Sequence, residues 1–217
     1  MKKNLEYRRE GRALTKGKIL NIFLIGLIFS TLLGVVTGIG ASFNPVFEEG
    51  TLNVIDPGNP ALAQLLNLVA AALGGYVTYS FEKLFIGVTK NEKPEFEPIL
   101  TAGVKEQPIN APLLSVISGF FIGLWTLLFI IPGIIKSYSY AMSTFLLVNE
   151  KTLGPVDAIT KSRQLMNGKK SQLFALDLSY LGWYILSLFT FGILSIWVSA
   201  WHQTARTLFF KDVYNVK

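Results

Sequence analysis

The stretch "GRALTKGKILNIFLIGLIFSTLLGVVTGIGA", residues 11–41, sets a basic segment directly ahead of an uncharged one. From Ile19 to Ala41 no side chain carries a charge. About 18 or more consecutive apolar residues are enough to cross a bilayer as a helix. Leu113–Ile135 is also free of charge, and in Leu178–Ala205 the only ionisable side chain besides Tyr is His202. Across the whole chain 51% of residues are hydrophobic and 16% charged. Water-soluble domains usually carry about 25% charged residues. The composition therefore reads as an all-α, polytopic integral membrane protein, residues 1–217 forming a single membrane domain.

Six spans are expected, at about 19–41, 61–81, 113–131, 134–148, 172–190 and 193–210. Pro132-Gly133 joins the third to the fourth, and Phe191-Gly192 the fifth to the sixth, as suits places where a helix stops and reverses. The span 134–148 is short for a full crossing. The first apolar run, at over 20 residues, exceeds the core of a cleaved signal, which runs to about 7–15, and reads as a retained helix.

Charge supports this order of spans. With the N-terminus inside, segments 1–18, 82–110, 149–170 and 206–217 hold 19 of the 20 Lys and Arg residues. The outer loop 42–60 has none and carries Glu48, Glu49 and Asp56. Lys and Arg collect on the cytoplasmic side, so both termini are expected in the cytoplasm, at the cell membrane. The net charge of +6 then follows from topology, and nucleic acid is not an expected partner. The basic residues Lys2, Lys3, Arg8, Arg9, Arg12, Lys16 and Lys18 suit anionic lipid headgroups, at about 1 kcal/mol each near the surface. A membrane-protein partner stays open.

The opening motif returns. "SRQLMNGKK" at 162–170 repeats the register of "GRALTKGKI" at 11–19, aligning Arg12, Leu14, Gly17 and Lys18 with Arg163, Leu165, Gly168 and Lys169. Pro155–Asn167 reads as a weakly amphipathic surface helix ended by Gly168, with Pro at its first turn. Asn4–Lys16, ended by Gly17, reads alike. A fainter third copy aligns Gly123, Leu127, Gly133 and Ile134 with Gly182, Leu186, Gly192 and Ile193. The unit is one surface helix plus one transmembrane hairpin, used three times (1–94, 95–153 and 154–217). Equal orientation makes these parallel repeats.

"IIPGIIKSYSYAMSTFLL" at 130–147, "AITKSRQLMNGKK" at 158–170 and "LFALDLSYLGWYILSLFTFGI" at 173–193 resemble a bacterial integral membrane family of unknown function, the domain of unknown function numbered nine-seven-five. That family is similar to the membrane domain of some glycerophosphodiester phosphodiesterases. The resemblance extends over roughly 95–210, with a looser match at the N-terminal basic helix. It implies a multi-pass membrane protein and supplies no catalytic residues.

Asp177 is the foremost candidate for a functional group. It lies about six residues inside the fifth span, where a carboxylate costs roughly 2.5–3.5 kcal/mol and needs a partner or water. Folding the chain at Phe191-Gly192 brings Arg206 to the mirror position, where a bidentate pair is possible in principle. Separate snorkelling to the inner interface, or a place in a proton or substrate path, are the alternatives. His202, one turn before Arg206, is a candidate pH-sensitive or proton-carrying group. Lys136 is expected at the outer interface, its stem reaching toward water. Glu82 and Lys83 read as a solvated boundary of the second span. Gln64 and Asn67, and the small pairs Gly34/Gly38 and Gly119/Gly123, read as contacts between helices.

No nucleotide or phosphate-loop fingerprint, Ser-His-Asp set or metal-binding carboxylate cluster is present in the sequence. The absence of cysteine excludes disulfides and thiolate chemistry, and one His cannot alone build a zinc or haem site. No catalytic residue, cofactor or metal is therefore expected. The leading functional expectation is a non-enzymatic membrane scaffold or accessory protein. The alternative is a small-molecule or lipid transporter, or a membrane-stress resistance protein.

Overall fold

The computed structural model describes residues 1–47, 54–56 and 58–215. Within them the chain runs α1 (Asn4–Thr15), α2 (Ile19–Ala41), β1 (Val46–Phe47), β2 (Val54–Asp56), α3 (Pro60–Thr89), α4 (Phe96–Glu106), α5 (Asn110–Leu128), α6 (Ile130–Tyr140), α7 (Ser143–Asn149), α8 (Pro155–Leu165), α9 (Lys170–Phe189) and α10 (Ser195–Asn215). The fold is helical apart from β1 and β2, which pair antiparallel in the loop between α2 and α3. That ribbon was not expected from the sequence. Glu48 and Glu49 of the same loop lie outside the described residues.

Among the described residues, four helices are long and apolar enough to cross a membrane: Ile19–Ile39 of α2, Pro60–Thr89, Asn110–Leu128 and Lys170–Phe189. They coincide with four of the six expected spans. The segment expected at 134–148 is divided between α6 and α7, of 11 and 7 residues. At about 1.5 Å per residue neither covers a hydrocarbon core of about 30 Å. The segment expected at 193–210 lies in α10, which is long enough but carries His202, Gln203, Arg206, Lys211 and Asp212.

The helix ends follow local chemistry. Asn59 accepts from the Leu62 amide at 3.1 Å and caps α3, with Pro60 in the first turn. This is a favoured arrangement at a helix start. α1 and α8 both end ahead of a glycine in the left-handed region, Gly17 at φ +77° and Gly168 at φ +73°. The two segments that share a sequence register thus share a backbone route from a short helix into a long one. The chain turns between α9 and α10 at Phe191-Gly192, with φ of 49° and 83°.

The other reversal is displaced. α5 gives way to α6 at Phe129, whose backbone is extended (φ −157°, ψ 137°), and Pro132 lies within the first turn of α6. Proline is tolerated there because the amide it lacks would have no partner inside the helix. Gly133 lets α6 pack closely on α5: a Cβ on it would sit 2.8 Å from Thr126 Cα.

Packing is concentrated toward one end of the molecule. Tyr7 of α1, Met142, Phe145 and Leu146, Leu173, Leu176 and Tyr180 of α9, and Phe209, Phe210 and Val213 of α10 form the largest buried cluster. In α2 the buried large side chains are Ile22, Ile25 and Phe29, all in its first half. Gly11 sets α1 directly on α10, its would-be Cβ 3.0 Å from the Trp201 carbonyl oxygen.

Candidate functional site: an interhelical polar cluster

Spacing along α9 puts Asp177, Tyr180 and Tyr184 on adjoining turns of one helix face, since residues three and four apart are neighbours. His202 and Arg206 are related in the same way on α10. Antiparallel packing of the two helices brings these faces together, and α6 supplies a third wall through Tyr138.

Asp177 is the hub. Its Oδ1 lies 2.7 Å from His202 Nε2. Its Oδ2 accepts from the Tyr138 hydroxyl at 3.0 Å. Arg206 Nη1 stands 3.7 Å from the same oxygen. The geometry is therefore not the bidentate fork that the mirror argument allowed. The imidazole is nearer, and the guanidinium makes one long contact. The second ring nitrogen, His202 Nδ1, is 3.1 Å from the Tyr184 hydroxyl. A carboxylate accepts only, so neutral His202 donates from Nε2 to Asp177 and accepts at Nδ1 from Tyr184. Tyr180 stacks on the ring at 4.7 Å between centroids.

The N-terminal helix roofs this cluster. Arg8 lies over Tyr180 at 5.4 Å. Arg12 sits over both Trp183 and Trp201 at 4.9 Å from each centroid. Cation–π contacts of this kind contribute about 0.5–1 kcal/mol when exposed and more when desolvated. Tyr7 of the same helix donates to Asp212 at 2.9 Å. Burial, and the Asp212 carboxylate that holds its proton, push the Tyr7 hydroxyl well above its ordinary range.

Glu82 departs from the sequence reading. It does not mark a solvated boundary, because α3 continues to Thr89 and the side chain is only 6% exposed. Thr207 donates to it at 3.4 Å and Gln203 at 3.5 Å. The apolar run after Glu82 and Lys83, "LFIGV" at 84–88, was the signal that the helix and its buried face went further. Tyr138 and Tyr184 carried no such signal, since an aromatic in an apolar run reads as packing. Lys136 does not join the cluster. It lies over the Trp125 ring at 4.5 Å.

The chemistry available is proton holding and hydrogen bonding. Asp177, His202 and the two tyrosines form a continuous donor–acceptor chain. Among the described residues no group of three His, Asp or Glu side chains is arranged to hold a metal ion.

Fold and site thus describe a protein that is helical apart from one short ribbon, with four membrane-length apolar helices among the described residues and a polar cluster bound up within its packing. Residues 127–217 match the family described as Protein of unknown function (DUF975). The match begins later than the resemblance over 95–210 suggested. It includes Tyr138, Asp177, Tyr184, His202 and Arg206, but not Glu82. No curated protein and no solved structure matches the chain.

Proposed function

We propose that the protein is a non-enzymatic scaffold or accessory protein of the cell membrane. Its six apolar segments enter the membrane as three like-oriented hairpins, and both termini face the cytoplasm. The element order short–long–long recurs as α1–α2–α3 and α8–α9–α10, with α4–α5 followed by the divided α6–α7 between them. This order supports three repeated units over 1–94, 95–153 and 154–217.

One observation carries the scaffold reading. Both oxygens of Asp177 and both nitrogens of His202 are occupied by protein partners. A carboxylate buried between helices must be compensated, and here Tyr138 of α6 and His202 and Arg206 of α10 compensate Asp177 of α9, which makes the cluster a clasp between helices. Isolation of the intact protein in mild detergent, followed by mass spectrometry, tests the role. The scaffold reading expects a stoichiometric protein partner whose recovery falls in Asp177→Asn at matched abundance. Isolation of the chain alone, with protein-dependent proton flux in vesicles, contradicts it.

A second reading, transport of a small molecule or lipid, is favoured by one feature. A cavity of about 250 Å³ is lined by Thr78, Ser115, Ser118, Tyr140, Ser143 and Thr144, and the hydroxyls of Ser118 and Ser143 are buried without a partner. Buried hydroxyls are normally satisfied, so this space suits water or an uncharged hydrogen-bonding solute. Loss of flux in Ser118→Ala/Ser143→Ala with unchanged abundance would support transport over the scaffold.

A further inference from the structure

We propose that the α9–α10 hairpin enters the bilayer from the cytoplasmic side and turns back within the hydrocarbon, its tip contacting acyl chains and not the water beyond. The inference rests on the membrane reading above and concerns how deep one hairpin goes.

The first observation is the position of α1. This helix carries Arg8, Arg9 and Arg12, with Lys2, Lys3 and Lys16 flanking it. Such a segment belongs at the membrane surface. It lies beside Tyr180, Trp183, Trp201 and Ala205 through the Arg8, Arg12 and Gly11 contacts. α9 ends at Phe189, six residues beyond Trp183. At 1.5 Å per residue that is about 9 Å of helix, against about 30 Å for the hydrocarbon core. Even with the turn added, the tip stops near the middle of the bilayer.

The second observation is the surface of the tip. Leu188, Phe189, Phe191 and Ile193 are 75%, 80%, 99% and 60% exposed. The residues from 186 to 200 include no charged side chain. A loop emerging into water would not present this surface, and the α2–α3 loop, with Asn44, Asp56 and Asn59, does not.

The third is the backbone of the turn. Every amide from Thr190 to Val198 donates a hydrogen bond within the segment, at 2.8–3.3 Å. The Leu194 amide uses the Thr190 hydroxyl. The hydroxyls of Ser187, Thr190, Ser195 and Ser199 each donate to a nearby backbone carbonyl. Backbone groups in hydrocarbon must be satisfied internally because no water is there to do it. This turn meets that condition on its donor side.

The packing of α2 agrees. Beyond Phe29 the described side chains of α2 are exposed or half-buried, as they are when the neighbouring hairpin stops short of the outer leaflet. A wedge confined to the cytoplasmic leaflet adds area to that leaflet alone, a natural role for a membrane scaffold.

The chain has no cysteine, so single-cysteine variants report one position each. Asn44→Cys, Lys169→Cys and Phe191→Cys would be treated with a membrane-impermeant maleimide in intact cells, after permeabilisation, and after SDS. The expected pattern is labelling of Asn44→Cys from outside, of Lys169→Cys only after permeabilisation, and of Phe191→Cys only after SDS. A thiol in apolar surroundings stays protonated and unreactive. Ile193→Cys should behave as Phe191→Cys does. Labelling of both Asn44→Cys and Phe191→Cys from outside overturns the re-entrant hairpin and leaves the membrane reading intact. Labelling of Phe191→Cys on permeabilisation alone also overturns it, by placing the tip in water. Failure of Asn44→Cys to label from outside overturns the topology, and the hairpin proposal with it.

Discussion

At the scale of single residues, the account makes Asp177 and His202 one unit. Replacing Asp177 by Asn keeps the shape and removes the charge that His202 and Arg206 face. A buried group deprived of its partner costs about 1–3 kcal/mol. Asp177→Asn and His202→Gln should each lower the unfolding midpoint in detergent, and the double variant should lose less than the sum. Additive losses would separate the two residues. Glu106 gives a second test, at the cytoplasmic side. Burial opposes its ionisation, but hydrogen bonds from Lys83 and Tyr79, the Lys83 charge and a contact from Lys151 outweigh it, and hold its carboxyl below the ordinary 4.5. A depressed folded-state pKa contributes stability that is present above the unfolded value and lost as pH falls through the folded one. Between about pH 7 and about pH 3 the native protein should therefore lose more stability than Glu106→Gln, measured by thermal unfolding in detergent. Identical pH profiles would show that the Lys83–Glu106 contact contributes nothing.

At the scale of elements, glycines separate packing from backbone conformation. Gly11 is where α1 meets α10, and any side chain there would press on the Trp201 carbonyl and on Ala205 N at 3.2 Å. Gly11→Val should release α1, seen as faster amide exchange over 4–15, while α2 keeps its protection. Gly17 has open space around its would-be Cβ but φ +77°. Gly17→Ala should cost about 1–2 kcal/mol through backbone strain and leave α1 docked. The reverse pattern would mean that contacts, not conformation, fix the α1–α2 junction. These elements also show what the sequence can reveal. The apolar runs marked α2, α3, α5 and α9, and the glycines after α1 and α8 marked their ends, because hydrophobicity and left-handed turns are local properties. Folding at Phe191-Gly192 brought Asp177 and Arg206 together, since one turn fixes which residues of a hairpin face each other. The break at Phe129 was not legible, because an extended residue between two apolar helices leaves no compositional mark. Neither was the burial of Glu82, which depends on α10 packing against α3 from more than a hundred residues away.

At the scale of the whole molecule, two kinds of surface coexist. A densely packed end, where α1, α7, α8 and the second half of α10 meet, carries the ion pairs Lys83–Glu106 and Lys161–Glu150. The α5–α6 junction exposes Leu127, Phe129, Ile130 and Ile131, and the α9–α10 turn exposes Leu188, Phe189 and Phe191. Exposed apolar side chains in such number mark an interaction surface, and with four membrane-length helices among the described residues, acyl chains are the partner that fits. The most direct test of this account is where the chain's ends and its first long loop lie. A reporter pair, fluorescent only in the cytoplasm or enzymatically active only outside it, would be fused ahead of Lys3, after Asn215 and at Asn44. The account predicts fluorescence at both ends and enzyme activity at Asn44. Ends on opposite faces of the membrane, or release of the untreated protein into detergent-free buffer, would contradict it.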